Sequence, residues 1–151
     1  MALRAKSPID SSRFSAARRS LFVNLKDQNA TCQGKSDGYA SFYIQDEQLF
    51  LYTSKAEKQQ VFTDRSGMGM YFNFFLVRGI ELKGWKINDA GELVFKDASM
   101  IACPNSINGA WSIWLAVGIA QPGGNKDCLP FTARTLPYGS CGTPVTCCYT
   151  Q

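Results

Sequence analysis

The strongest constraint on the fold is a period-two alternation of large apolar residues with smaller or polar ones. Every second residue along 111–117 is large and apolar, as in a half-buried β-strand. Residues 42–52 and 85–95 predict hairpins with turns at Asp46-Glu47 and at 88–91. No segment keeps the spacing of an amphipathic helix over three turns. The sequence therefore predicts an all-β fold.

The length and charge distribution predict one compact domain. A chain of 151 residues with 45% hydrophobic residues can bury a single core. The two hairpins lie about 43 residues apart, which favours a β-trefoil over a β-sandwich or open barrel. The net charge of +4 comes entirely from residues 1–19, because 11 basic and 11 acidic residues follow. We expect 1–19 to be a basic, partly stranded N-terminal arm and 20–151 to be a single β domain.

The cysteines and a glycosylation sequon predict secretion. The even cysteine count, without a metal-like spacing or any histidine, favours disulfides over a metal site. Asn29, in Asn29-Ala30-Thr31, is a candidate N-glycosylation site. No signal peptide is visible, and we expect Met1 to stand where a cleaved signal was removed. The disulfide candidates are Cys32, Cys103, Cys128, Cys141, Cys147 and Cys148.

The sequence offers little catalytic chemistry, and we expect no enzyme, cofactor or metal. The absence of histidine removes the commonest general base. A glycosidase needs only two carboxylates, but Asp46, Glu47, Asp89 and Glu92 fall at or beside turns, where carboxylates are normally solvated. The glycine-rich segment 66–70 is followed by strand residues rather than by the helix that a phosphate loop requires.

Aromatic residues are the main candidates for recognition. Alternation assigns Trp85, Ile87 and Trp111 to inward-facing sets and leaves Trp114 open between core and surface. An exposed Trp114 or Tyr138 would suit a lectin, because such rings stack on sugars. The charge pattern and hydropathy favour neither nucleic acid nor membrane as a partner. We expect a monomer.

Several segments resemble the secreted cell-wall proteins of phialide and conidium development in filamentous fungi, a family that includes IgE-binding allergens. The most specific is 56–69, and the others are 2–9, 84–87, 101–104, 111–114, 125–128 and 148–150. The resemblance implies secretion, wall association and immune recognition, and it implies no catalytic residue. The chain departs from the family in its apolar run 71–77 and in an extra cysteine pair drawn from Cys141, Cys147 and Cys148.

These observations predict a secreted, non-enzymatic fungal binding protein of the cell surface or host apoplast. The leading hypothesis is an effector or virulence factor that inhibits a host papain-like cysteine protease through rigid loops at 64–70, 104–110 and 121–127. The alternatives are a structural cell-wall protein and a carbohydrate-binding lectin, with wall polysaccharide as partner. The candidate partner-binding residues are Arg65, Met68, Met70, Asn105, Ile107, Trp114 and Asn125.

Overall fold

The computed structural model describes residues 1–53, 58–64, 70–72, 80–118, 121–138 and 145–150. They form fifteen strands: β1 (Ala2–Leu3), β2 (Phe14–Ala17), β3 (Ser20–Val23), β4 (Thr31–Cys32), β5 (Phe42–Gln45), β6 (Gln48–Leu51), β7 (Gln60–Asp64), β8 (Met70–Phe72), β9 (Ile80–Glu81), β10 (Trp85–Ile87), β11 (Leu93–Phe95), β12 (Met100–Cys103), β13 (Trp111–Leu115), β14 (Leu129–Ala133) and β15 (Cys147–Cys148). The only helical elements in this part of the chain are 3₁₀ turns at Ile107–Gly109 and Pro122–Gly124. The all-β prediction is confirmed. No helix in the described ranges is long and apolar enough to cross a membrane.

Most strands join one eleven-stranded sheet, in the order β1-β14-β12-β13-β3-β8-β7-β6-β5, with β2 beside β3 and β9 beside β7. The two predicted hairpins are present as β5–β6 and β10–β11, each antiparallel. The second hairpin and the pair β4–β15 form separate two-stranded sheets. A threefold β-trefoil repeat stays a prediction.

Segment 1–19 is packed into the sheet while its basic side chains remain exposed. Strand β1 pairs with β14, and β2 pairs with β3. Ala2 and Ile9 are fully buried in the core, and all four residues of β2 are buried. The sequence conceals β2 because Ser15, Ala16 and Ala17 are small and show no alternation, although they lie inside the protein.

Three tight turns place two consecutive non-glycine residues at positive φ. They are Arg18-Arg19 between β2 and β3, Asp46-Glu47 between β5 and β6, and Lys96-Asp97 after β11. This is the backbone of a type I′ hairpin turn, which matches strand twist but favours Asn and Gly. Each charged residue here therefore adopts a left-handed conformation that strains an L-amino acid.

The core contains apolar side chains from both ends of the chain. Trp85 is only 1% exposed and lies 5.0 Å, centroid to centroid, from the Phe95 ring, so its core assignment is confirmed. Trp111 is half-buried against the same core. The core also includes Tyr149, which comes directly after β15. The C-terminal segment is therefore part of the packed domain.

Two disulfides tie the strands together. Cys32 in β4 bonds Cys147 in β15, and Cys103 at the end of β12 bonds Cys128 before β14. These bonds confirm a disulfide-containing β domain. Because Cys147 pairs with Cys32, the extra pair predicted near the C-terminus does not include Cys147. Cys141 lies outside the described residues.

Candidate functional site

An open groove of about 560 Å³ lies where four separate parts of the chain meet. One wall is segment 37–41 with Arg13, and the opposite wall is segment 134–138 with Ile87 from the β10–β11 hairpin. The volume lies within the range of about 300–1,000 Å³ typical of ligand sites in proteins. The apolar base includes Phe14 and Phe42, whose rings meet edge to face with centroids 6.3 Å apart.

The groove concentrates the exposed apolar surface of the described residues. Their six exposed large hydrophobic side chains are Leu3, Tyr39, Ile87, Val117, Leu136 and Tyr138. Four of these line the groove, namely Tyr39, Ile87, Leu136 and Tyr138. Single exposed apolar side chains are ordinary on a protein surface, whereas a cluster of them is a candidate contact surface for another molecule.

The first wall is held by a small polar network around Asp37. Its carboxylate accepts a hydrogen bond from the Tyr39 backbone N–H at 3.1 Å and forms an ion pair with the Arg13 guanidinium at 2.7 Å. The same guanidinium lies over the Tyr39 ring, 5.0 Å from its centroid. The Ala40 backbone N–H donates to the Phe14 carbonyl at 2.8 Å. These contacts fix the position of the Tyr39 ring.

The opposite wall is fastened to the β10–β11 hairpin. Both the backbone N–H and the hydroxyl of Thr135 donate to the Gly91 carbonyl, at 3.0 and 2.8 Å. The Arg134 guanidinium donates to the Ala90 carbonyl. The hairpin turn thus positions the chain that continues into Leu136 and Tyr138.

A chain of hydrogen bonds connects the groove with the core. The hydroxyl groups of Tyr138 and Ser41 lie 3.0 Å apart, and the Ser41 backbone N–H donates to the Tyr149 hydroxyl at 3.2 Å. Burial raises the pKa of the Tyr149 phenol, and the hydrogen bond from Ser41 partly offsets the increase. Gln59, itself buried, bonds the backbone of Tyr149. The C-terminal segment therefore supports this end of the groove.

The groove suits binding more than acid–base chemistry. Among the described residues that line it, Asp37 is the only carboxylate, and it already accepts bonds from Arg13 and Tyr39. Within the described ranges, no group of three or more His, Cys, Asp or Glu side chains is arranged to hold a metal ion.

None of the predicted partner-binding residues whose side chains the structure describes lines this groove. Asn105 is exposed and Ile107 half-buried in the loop after β12. Trp114 lies against the turn 122–124, where a Cβ on Gly123 would come within 2.7 Å of its ring, and Asn125 closes that turn by donating to the Pro122 carbonyl at 2.8 Å. Trp114 is thus a packing residue for the loop. Arg65 and Met68 lie outside the described residues, and Met70 begins β8.

The Cys103–Cys128 disulfide brings loops 104–110 and 121–127 to one place, with its two Cα atoms 4.1 Å apart. The third predicted loop, 64–70, falls largely outside the described residues. Two of the three predicted loops therefore share an anchor point.

Sequence reasoning identified Tyr138 as a candidate for stacking but missed Tyr39 and Leu136. It was wrong about Ile87, because alternation placed it inward with Trp85, whereas it is 54% exposed at the groove. Strand β10 ends at Ile87, so this side chain lies at the strand end rather than over the core. The signal available in the sequence was a tyrosine beside turn residues in each of two segments, 37–41 and 134–138.

Comparison with known proteins identifies the family. The family described as "PhiA-like secreted protein" matches residues 1–150. Proteins named "Cell wall protein phiA" are 42% identical in Emericella nidulans, over 100% of this chain and 85% of the relative, and 41% identical in Aspergillus fumigatus, over 100% and 83%. A protein of the same name in Arthroderma benhamiae is 41% identical over 94% of this chain and 81% of its own length.

No solved structure matches this chain. The family resemblance inferred from residues 2–9 through 148–150 is confirmed, and so is the expectation of a secreted, extracellular protein. The chain belongs to the PhiA-like secreted proteins.

Proposed function

We propose that this protein is a structural component of the fungal cell wall that acts by binding wall polysaccharide, without catalysis. The carrying observation is the groove that gathers four of six exposed large apolar side chains of the described residues. Relatives that cover the whole chain are named cell wall proteins, and polysaccharide is the main material to which such a protein can attach.

The test is retention on insoluble polymers. The purified protein is mixed with chitin, with β-1,3-glucan and with cellulose, and bound and free fractions are measured together with the release of reducing ends. We expect saturable retention on at least one wall polymer, and no reducing ends above those from the polymer alone. Failure to bind any of them would refute the wall-binding role, and steady release of reducing ends would refute its non-catalytic character.

The disulfide-anchored loops favour a second candidate, inhibition of a host papain-like cysteine protease by a secreted effector. Loop 104–110 begins directly after Cys103, and loop 121–127 ends directly before Cys128, so the Cys103–Cys128 bond anchors one end of each loop. The first is closed by a hydrogen bond from the Ser106 N–H to the Ala110 carbonyl at 3.0 Å. A loop already held in its bound shape loses little entropy on association.

This second candidate predicts near-stoichiometric inhibition of papain, abolished when Cys103 and Cys128 are both replaced by alanine. Unchanged papain turnover in excess protein would remove it. Inhibition of papain should be weaker in the Asn105→Ala variant if loop 104–110 contacts the protease, because Asn105 is exposed in that loop.

A further inference from the structure

We propose that the groove binds a linear chain of neutral, β-linked pyranose rings. Tyr39 and Tyr138 stack on the sugar rings, and the Arg13–Asp37 pair forms hydrogen bonds with their hydroxyl or amide substituents. The inference rests on the proposed function and assigns it a site and a ligand class.

Tyr39 is a preorganised platform. Arg13 covers its ring at 5.0 Å, and the backbone N–H of Tyr39 is bound to Asp37. The residue is nevertheless 37% exposed, and we take part of the ring surface to be open to a ligand. Because the ring is already fixed, little conformational entropy is lost when a ligand stacks on it.

Tyr138 presents its ring rather than its hydroxyl. The hydroxyl oxygen lies 3.0 Å from the Ser41 hydroxyl, while the side chain is 54% exposed. An aromatic ring that is held at its polar end in an exposed residue suits contact with the C–H face of a sugar. Tyr39 and Ser41 belong to the same wall, so the hydrogen bond between the Tyr138 and Ser41 hydroxyl groups joins the two walls of the groove.

The Arg13–Asp37 pair favours a neutral ligand. The two groups neutralise each other, and both side chains remain about half exposed, at 47% and 46%. The other cationic groups of the lining are the Arg134 guanidinium, which donates to the Ala90 carbonyl, and the Met1 ammonium group, whose pKa burial lowers to about 6. Arginine carries five N–H donors and a carboxylate has several acceptor positions, so both can bind hydroxyl or amide groups without separating. A polyanion would compete with Asp37 for Arg13, and a polycation would compete with Arg13 for Asp37.

The apolar residues restrict the sugar stereochemistry. Ile87 and Leu136 are 54% and 51% exposed beside the tyrosines, and Phe14 and Phe42 form the base. A pyranose whose ring substituents are all equatorial offers two flat C–H faces, which suit such a surface. Glucose and N-acetylglucosamine in β linkage share this chemistry, so β-glucan and chitin are the two sources that the experiment must distinguish.

The test measures binding of laminarihexaose and chitohexaose, as soluble fragments of the two polymers, by calorimetry. Isomaltohexaose, an α-linked glucose chain, and polygalacturonate, a polyanion, are the control ligands. We expect one or both β-linked fragments to bind and the control ligands to bind at least about tenfold more weakly. Raising the salt from about 0.1 M to about 1 M should change the affinity for the neutral fragment by less than about twofold.

The variants localise the site. Tyr39→Ala and Tyr138→Ala should each weaken binding by about tenfold, as expected for loss of an aromatic anchor. Tyr39→Phe, which keeps the ring, and Val117→Ala, which removes exposed apolar surface outside the groove, should bind within about threefold of the wild type. Thermal unfolding identifies any variant that is not folded. If Tyr138→Ala is not folded, the difference in affinity between Tyr39→Ala and Tyr39→Phe tests the site.

Each outcome has a distinct meaning. If folded alanine variants bind the β-linked fragment as tightly as the wild type, the groove is not the site, and the wall-binding role then rests on the retention assay alone. If the wild type is retained on wall polymers but binds the anionic or α-linked control equally well, the ligand class is wrong. If it binds no wall polysaccharide in either assay, the proposed function fails together with this inference.

Discussion

Removing the disulfide between Cys32 and Cys147 should destabilise the protein more than removing the disulfide between Cys103 and Cys128. The first bond joins residues 115 positions apart and the second joins residues 25 positions apart. Loop-closure entropy in the unfolded chain then gives losses of about 5 and about 3.5 kcal/mol. Because a domain of this kind is stable by about 5–15 kcal/mol, the first loss removes between about a third and all of the free energy of unfolding.

The two double alanine variants form a matched comparison. Cys103 and Cys147 are both buried, and Cys32 and Cys128 are both half-buried, so the packing lost at the sulfur atoms is similar. Unfolding in urea, followed by tryptophan fluorescence, gives the free energy of unfolding of each variant. An equal loss in both variants, or a larger loss in Cys103→Ala/Cys128→Ala, would refute the loop-length argument.

The same pair of variants separates the two proposed functions. The Cys32–Cys147 bond joins β4 to β15, and Cys147 lies two residues before Tyr149. The Tyr149 hydroxyl accepts a hydrogen bond from the backbone N–H of Ser41, which lines the groove. Under conditions where both variants are folded, Cys32→Ala/Cys147→Ala should weaken polysaccharide binding, and Cys103→Ala/Cys128→Ala should leave it within about twofold of the wild type. The opposite pattern would place the polysaccharide at the loops.

Four further predictions concern individual residues. Burial raises the pKa of Tyr149 in the folded state. As pH rises above the ordinary tyrosine pKa of about 10, Tyr149 therefore ionises first in the unfolded state, and the free energy of unfolding should fall. Unfolding curves of Tyr149→Phe should show a smaller fall over the same pH range. Glu47→Gly should stabilise by about 0.5–1 kcal/mol by relieving its positive φ, and an equal gain in Glu47→Ala, measured in the same urea titration, would contradict that cause. Asn29 is exposed, so protein secreted from a fungal host should lose mass with peptide N-glycosidase, and Asn29→Gln should not. Mass spectrometry of unreduced peptides should find Cys141 bonded to Cys148, because an oxidising compartment favours complete pairing, and alkylation of either thiol without reduction would show otherwise.

The hairpins and the central core could be predicted from the sequence because their information is local. Alternation with a turn at Asp46-Glu47 was sufficient for β5–β6, and the same logic gave Trp85 and Phe95 in β10–β11. Strand β2 was not identifiable, because its small residues are buried by neighbours that are distant in sequence. Propensity and periodicity carry no information about such neighbours.

The groove could not be predicted from the sequence for the same reason. Arg13, Tyr39, Ile87 and Tyr138 belong to four segments that only the tertiary structure brings together. Alternation also assigned Ile87 to the inward face. A period-two pattern shows which residues share a face of the three-residue strand β10, but not where along the strand the core ends. The cysteines predicted a disulfide-containing domain, but their pairing required the register of β4 with β15.

The most direct test of the central claim is chemical-shift mapping of the folded protein titrated with laminarihexaose and with chitohexaose. Saturable shifts at the backbone amides of Tyr39, Ser41, Ile87 and Tyr138, with little change in loops 104–110 and 121–127, are the predicted result. Saturable shifts confined to those loops, or no shifts with either oligosaccharide, would contradict the account.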